Sequence, residues 1–219
     1  MTKRMLILGG ALLPLLLGMT GCDGGLFGVR GSGNVITESR EVSGFNEIAL
    51  RGNGTVVVVV DGTESLTIEA EDNIMPLLTS EVSNGRLELS SESSISPTRE
   101  IRYTISAAVL GAVSISGSGD ITVTNIDAES FDAEISGSGR IEPRGTTAEL
   151  NVGISGSGDF EGEGLAAAIG SVRVSGSGNA VVNVSEDLDV TISGSGDVQY
   201  TGNPSLTSSV SGSGDVTRR

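Results

Sequence analysis

A four-residue motif, Ser-Gly-Ser-Gly, recurs six times in the second half of the chain and constrains the fold more than any other feature. Successive copies are spaced 20, 19, 20, 18 and 18 residues apart. Self-similarity at a nearly fixed period of this length is typical of solenoids, in which each repeat stacks on its neighbours. The copies begin at Ser116, Ser136, Ser155, Ser175, Ser193 and Ser211.

The residues around the motif distinguish a folded repeat from a flexible linker. Apolar and polar residues alternate on both sides of each copy, which is the pattern of a β-strand with one buried face. A glycine-serine linker has no reason to keep such flanks in register. The residues directly before the six copies are Ile115, Ile135, Ile154, Val174, Ile192 and Val210.

We therefore predict an all-β fold, a single-stranded parallel β-helix with 18–20 residues per coil. Strands of three to five residues would be joined by tight corners, and the inward Ile and Val side chains would stack into ladders. The corner glycines would supply positive φ angles and allow close approach of stacked corners. These structural glycines are Gly117, Gly119, Gly137, Gly139, Gly156, Gly158, Gly176, Gly178, Gly194, Gly196, Gly212 and Gly214.

The position after each motif forms a column of mostly acidic residues. Glycine-aspartate repeats bind calcium in some β-helices, but those use a nine-residue period with a glycine turn in each half-coil. The second half-coils of this chain lack that turn, and an arginine interrupts the column. We predict no metal site, local turn hydrogen bonds for the column, and only Asp197 and Asp215 as weak cation candidates. The column reads Asp120, Arg140, Asp159, Asn179, Asp197 and Asp215.

Residues 31–110 are predicted to form irregular coils of the same solenoid, and residues 111–219 to form the regular ones. In the irregular part, Leu66 and Ile68 alternate with polar residues and are expected to face inward. Asn84-Gly85 is a hairpin-type turn signal. A single helical turn is expected near Pro76, which limits its length.

The N-terminus has the features of a bacterial lipoprotein signal. Lys3 and Arg4 precede an apolar run, and Met19-Thr20-Gly21-Cys22 resembles a lipobox, in which the cysteine is lipidated and becomes the new N-terminus. We predict a signal peptide over 1–21, a lipidated (palmitate-bearing) Cys22 within a short tether over 22–30, and membrane attachment through that lipid. Asp23 resembles an inner-membrane retention signal of enteric bacteria, and the choice between inner and outer membrane stays open.

Composition excludes several functions. The chain has no histidine, and its one cysteine lies in the lipobox, so no disulfide, Cys-His pair, Ser-His-Asp triad or usual zinc site is expected in the exported domain. After removal of the predicted signal peptide, which contains Lys3 and Arg4, the chain has 28 acidic residues and 11 arginines, a formal charge of about −17. Such a charge argues against nucleic acid as a partner. We expect no cofactor.

The segment GFNEIALRGNGTVVVVVDGTESLTIEAEDNIMPLLTSEVSNGRLELSS, followed by SGSGD-type repeats, resembles the bacterial auto-transporter adhesin head domains called GIN domains. The resemblance covers about residues 34–217. It implies a right-handed, pectin-lyase-like β-helix whose GSG motifs mark the tight turns. It also suggests adhesion, with no catalytic residues identified.

The leading functional hypothesis is a non-enzymatic envelope lipoprotein that binds a glycan or an envelope protein outside the cytoplasm, or serves a structural role. The alternative is a carbohydrate-active enzyme, since Asp159, Glu161 and Glu163 alternate and could share one face. A signalling or stress-linked envelope role rests on the family resemblance alone. The ligand and the oligomeric state stay open.

Overall fold

The computed structural model describes residues 28–219, which form an elongated stack of β-strands with one short 3-10 helix at Met75–Leu77. The strands of the irregular part are β1 (Val29–Arg30), β2 (Val35–Arg40), β3 (Glu47–Gly52), β4 (Thr55–Val60), β5 (Ser65–Glu71), β6 (Leu78–Ser83), β7 (Arg86–Ser91), β8 (Ile95–Ser96) and β9 (Arg102–Ala107). Those of the regular part are β10 (Ala112–Gly117), β11 (Asp120–Gly137), β12 (Arg140–Gly156), β13 (Asp159–Gly176), β14 (Asn179–Gly194), β15 (Val198–Thr201), β16 (Ser205–Gly212) and β17 (Val216–Arg218).

The regular part is a parallel β-solenoid, as the repeat predicts. Each of the strands β11 to β14 begins just after one Ser-Gly-Ser-Gly corner and ends in the next, and each pairs in parallel with the strand one coil before it. The predicted strands of three to five residues are replaced by extended runs of 16–18 residues that bend without ending. The bend in β11 lies at Asn125, whose φ is 64°, where the register with β12 shifts.

The corner glycines are needed for two separate reasons. The first glycine of each motif has a positive φ, between 128° and 142°, which side-chain-bearing residues rarely adopt. The second glycine lies against the corner of the coil before it. A Cβ atom at Gly139, for example, would stand 2.4 Å from the carbonyl oxygen of Gly119. The predictions of positive φ and of close stacking are both confirmed.

Two sides of the solenoid matter for function. The front side is formed by the strands that lead into the corners. These are β3, β10, the last six residues of each of β11 to β14, and β16. The back side comprises the segments that follow the corners, together with β9, β5 and β2. Between them the inward side chains Ile115, Ile135, Ile154, Val174 and Ile192 form the predicted ladder and are at most 2% exposed. The sixth predicted member, Val210 of the last coil, is 44% exposed, because no further coil stacks on it.

The irregular part joins this solenoid through β3 and β4, which pair in parallel with β10 and β11. Beyond them the chain adds antiparallel pairs, β2 with β5, β5 with β9 and β6 with β7, which the repeat pattern does not predict. The hairpin between β6 and β7 turns at Asn84 and Gly85, with φ angles of 52° and 80°, as the sequence predicts. Leu66 and Ile68 are buried, as expected.

Candidate functional site

The front side carries two parallel columns of outward side chains. Strand pairing places equivalent residues of successive coils side by side, at about 4.8 Å per strand. Because the alternate residues are buried in the ladder, the intervening ones face solvent. One column runs Ala112, Asp132, Asn151, Ser171 and Asp189, and the other runs Ser114, Glu134, Gly153, Arg173 and Thr191.

A groove of about 360 Å³ lies where Gly153 interrupts the second column. We call it the Gly153 groove; its lining residues are Asp132, Ala133, Glu134, Asn151, Val152, Gly153 and Arg173. Because Gly153 has no side chain, the neighbouring Glu134 and Arg173 become the two walls of a gap two strands wide. That width is about 10 Å. The volume is in the range of small-molecule sites, about 300–1,000 Å³.

The polar groups of the Gly153 groove are held by the strands themselves. Asn151, on the floor, donates a hydrogen bond from Nδ2 to Oδ1 of Asp132 at 2.9 Å. Arg173 donates from Nη1 to Oγ of Ser171 at 3.0 Å. Among residues 28–219, Glu134 makes neither a hydrogen bond nor an ion pair through its side chain. One wall is therefore anionic and the other cationic, with an amide between them.

A second depression of about 360 Å³ lies beside the first corner, where the loop after β8 passes it. Glu100 accepts a hydrogen bond from Thr55 Oγ1 and pairs with Arg102 at 2.8 Å. The hydrogen bond from Thr55 is the main reason that the pKa of Glu100 lies below its usual value. Glu100 is therefore already bound by the protein, whereas the side chains of Arg99 and Asp120, which also line the depression, make no hydrogen bond or ion pair among residues 28–219.

The acidic residues of the enzyme hypothesis all have protein partners. Glu161 pairs with Arg140 at 3.1 Å, and Glu163 pairs with Arg219 at 3.4 Å. Asp159 accepts a hydrogen bond from Nδ2 of Asn179 at 3.0 Å. The structure brings these residues to the back side, where two of them are in exposed ion pairs and the third accepts a hydrogen bond.

The acidic column makes hydrogen bonds from coil to coil and not within its own turns. The backbone N–H of Asp215 donates to Oδ1 of Asp197 at 2.9 Å, and the N–H of Asp197 donates to Oδ1 of Asn179 at 3.2 Å. The expectation of local turn bonds is therefore wrong, because stacking brings the next corner's N–H within reach. Within residues 28–219 no group of three or more acidic, His or Cys side chains could hold a metal ion.

The predicted lipidation residue Cys22, the signal peptide and most of the tether lie outside the described residues. In the described part of the chain, no helix has the length and hydropathy needed to cross a membrane.

Sequence reasoning missed the Gly153 groove, although a signal was present. Gly153 stands one residue before the Ile of its coil, in a column occupied by Ser, Glu, Arg and Thr in other coils. A glycine inside a strand, away from any corner, can indicate close approach of a ligand or another backbone.

Comparison with known structures supports the same fold. A "putative adhesin" from Bacteroides fragilis is 23% identical and aligns with a TM-score of 0.71, covering 88% of this chain and all of that one. A "putative lipid binding protein" from Parabacteroides distasonis is 19% identical, with a TM-score of 0.61 and coverage of 87% and 99%. A "putative adhesin" from Parabacteroides merdae is 16% identical, with a TM-score of 0.57 and coverage of 88% and 99%. A search of curated proteins gave no match.

The family comparison covers most of the chain. Residues 44–204 match the model of the family described as "Putative auto-transporter adhesin, head GIN domain". The match includes the irregular part from just before β3, the first five Ser-Gly-Ser-Gly corners and the Gly153 groove. Membership suggests an adhesin-like protein of the cell envelope or the extracellular space. The chain belongs to the GIN-domain adhesin-head family.

Proposed function

We propose that this chain is a non-enzymatic, lipid-anchored binding protein of the cell envelope, and that the front side of its solenoid holds the ligand. The observation that carries the binding role is the Gly153 groove, which presents unpaired charged groups on a stack of paired strands. Sites built on such paired strands hold their side chains in fixed positions, which favours recognition.

The anchor follows from the lipobox at Met19-Thr20-Gly21-Cys22. A diacylated and N-acylated cysteine gives stable membrane attachment, because more than one acyl chain is buried. Attachment at Cys22 leaves only a short tether before β1 at Val29–Arg30, so the solenoid would stand close to the membrane surface.

The acidic pairs support a non-enzymatic role. A glycosidase needs two carboxyl groups free to act as acid, base or nucleophile. In this chain Glu161 and Glu163 are bound by arginines.

Two measurements test the proposal. Cys22→Ser should move the protein from the membrane fraction to the soluble fraction, and continued membrane association would refute the lipid anchor. The purified protein should release no products from a broad panel of polysaccharides. Reproducible product release that Glu161→Gln abolishes would establish the enzyme alternative instead.

A further inference from the structure

Gly153 differs from the corner glycines and from the other glycines within strands β11 to β14 because the fold does not require it. The corner glycines have positive φ angles or meet the backbone of the preceding coil, as described above. Gly153 does not belong to the positive-φ glycines of the chain. A Cβ atom built on it would meet only Cγ of Glu134, at 3.9 Å, which is ordinary van der Waals contact.

A strand-interior glycine of this kind weakens the strand. Glycine loses more backbone entropy on folding than other residues and leaves no side chain to pack, at a cost of roughly 0.5–1 kcal/mol relative to alanine. What Gly153 provides is open space between Glu134 and Arg173. A side chain there would fill the groove without touching the core, since Gly153 faces outward between the buried Val152 and Ile154.

The Gly153 groove differs from the neighbouring depression on the front side in how its charged residues are paired. The neighbouring depression over Ala112 and Ser114 is bounded on one side by an ion pair, Arg86 with Glu47 at 2.9 Å. In the Gly153 groove the acid and the base stand on opposite walls and form no ion pair with each other. A molecule that lies between them can form hydrogen bonds to both.

We propose that the Gly153 groove binds an uncharged saccharide. Sugar hydroxyls both donate and accept hydrogen bonds, so one ring can donate to the Glu134 carboxylate and accept from the Arg173 guanidinium. Hydrogen bonds to ionised groups are the stronger kind, which favours this arrangement. The proposal rests on the binding role proposed above and names its ligand class.

Charge argues against ligands of a single charge sign in the same place. The chain carries a formal charge of −15, which repels anionic polysaccharides. An amine would be attracted to Glu134 but would meet Arg173 on the opposite wall. A neutral polyol satisfies both walls without a charge conflict.

The groove predicts weak binding by each site. No aromatic side chain lines it, so a sugar would gain hydrogen bonds but no stacking surface. For a single ring we expect a dissociation constant on the order of 1 mM. Many copies on one cell surface would strengthen attachment to a polymer through multivalency.

The test compares two glutamine variants in the same column, using protein purified from the envelope. Gly153→Gln fills the groove, and Thr191→Gln places the same side chain on an exposed position beyond Arg173. Immobilised neutral oligosaccharides of glucose, galactose and mannose are the probes, with hyaluronate and chitosan oligosaccharides as charged comparisons. Binding is measured on the surface and by amide chemical-shift changes in solution, and thermal melts report folding.

We expect wild type and Thr191→Gln to bind at least one neutral probe, with affinities within about twofold of each other. Gly153→Gln should lose about tenfold or more of that affinity while melting no lower than wild type, and Glu134→Gln and Arg173→Gln should also lose binding. Unchanged binding by Gly153→Gln would overturn the groove as the site. A preference for the charged probes, or no binding to any neutral probe, would overturn the ligand class. Membrane fractionation of Cys22→Ser and the polysaccharide-release assay are independent of these outcomes, so the lipid anchor and the non-enzymatic role are tested separately from the saccharide proposal. Binding of wild type to a charged probe in place of a neutral one would retain the binding role and overturn only the ligand class.

Discussion

Arg40 donates a hydrogen bond from Nη1 to the backbone carbonyl oxygen of Leu78 at 2.7 Å, which ties the edge strand β2 to the edge strand β6. Arg40 pairs with Leu66 across β2 and β5, so its side chain starts on the inward side of the strand. The guanidinium also reaches the carbonyl oxygen of Met75 at 3.2 Å and pairs with Glu38 at 2.8 Å. Charged residues thus cover the core at this end of the stack, where bare strand edges would otherwise invite pairing with other chains.

This cover leads to a stability prediction. Arg40→Ala should lower the free energy of unfolding by about 1–3 kcal/mol, because two backbone carbonyls lose their donor in a partly buried place. Arg102→Ala removes an exposed ion pair with Glu100 and should cost at most about 1 kcal/mol. Denaturant titration of both variants measures the difference. Equal losses would show that Arg40 does not act as an end cover.

We expect a corner glycine and a strand-interior glycine to respond in opposite ways to substitution by alanine. Gly139→Ala would place Cβ 2.4 Å from the carbonyl oxygen of Gly119 and 2.7 Å from Ile115, so the stacked corners must separate. We expect a loss of at least about 2 kcal/mol, as for other overpacked sites. Gly153→Ala should be neutral or stabilising by up to about 1 kcal/mol. Thermal melts of both variants decide the matter, and destabilisation by Gly153→Ala would mean that the fold does require this glycine.

Glu71 predicts a pH dependence of stability. Its side chain is buried, which by itself raises the pKa of the carboxyl, but hydrogen bonds from Thr98, Gly33 and Arg99 together hold the pKa below its usual value of 4.5. A carboxyl with a lowered folded-state pKa contributes stability above the unfolded pKa and loses it as pH falls through the folded one. The stabilisation from Glu71 should therefore be complete at neutral pH and disappear at acid pH, below 4.5.

Glu71→Gln isolates this contribution. The variant should be less stable than wild type at pH 7, and the gap should narrow as the pH falls below 4.5, since the wild-type carboxyl becomes protonated. Asp61 and Asp72 also have lowered pKa values from hydrogen bonds, so both proteins should keep some acid sensitivity. Denaturant unfolding at pH 7, 5 and 3.5 measures the gap, and a constant gap would contradict the linkage.

The sequence predicts the regular coils well because their physical cause is local and repeated. Each corner needs its own glycines, and each inward Ile or Val occupies the same place in its coil, so six copies reinforce one pattern. The antiparallel strands β2, β5, β6 and β7 depend on pairings between distant segments, such as Arg40 with Leu66. No sequence repeat predicts these pairings. The Gly153 groove could not be predicted from the sequence alone. The sequence shows the glycine, but only the structure shows that Glu134 and Arg173 flank it without forming an ion pair.

The acidic column predicts the response to calcium. The Oδ1 atom of Asp197 is occupied by the N–H of Asp215, so the best-placed pair of carboxylates has already committed one oxygen to the fold. We expect 10 mM Ca²⁺ to leave the melting temperature unchanged apart from a small general ionic effect that 10 mM Mg²⁺ reproduces. A site with a dissociation constant of 0.1 mM would instead stabilise the protein by about 2.7 kcal/mol at that concentration. A calcium-specific rise of several degrees that Asp197→Asn removes would show that the column does bind a cation.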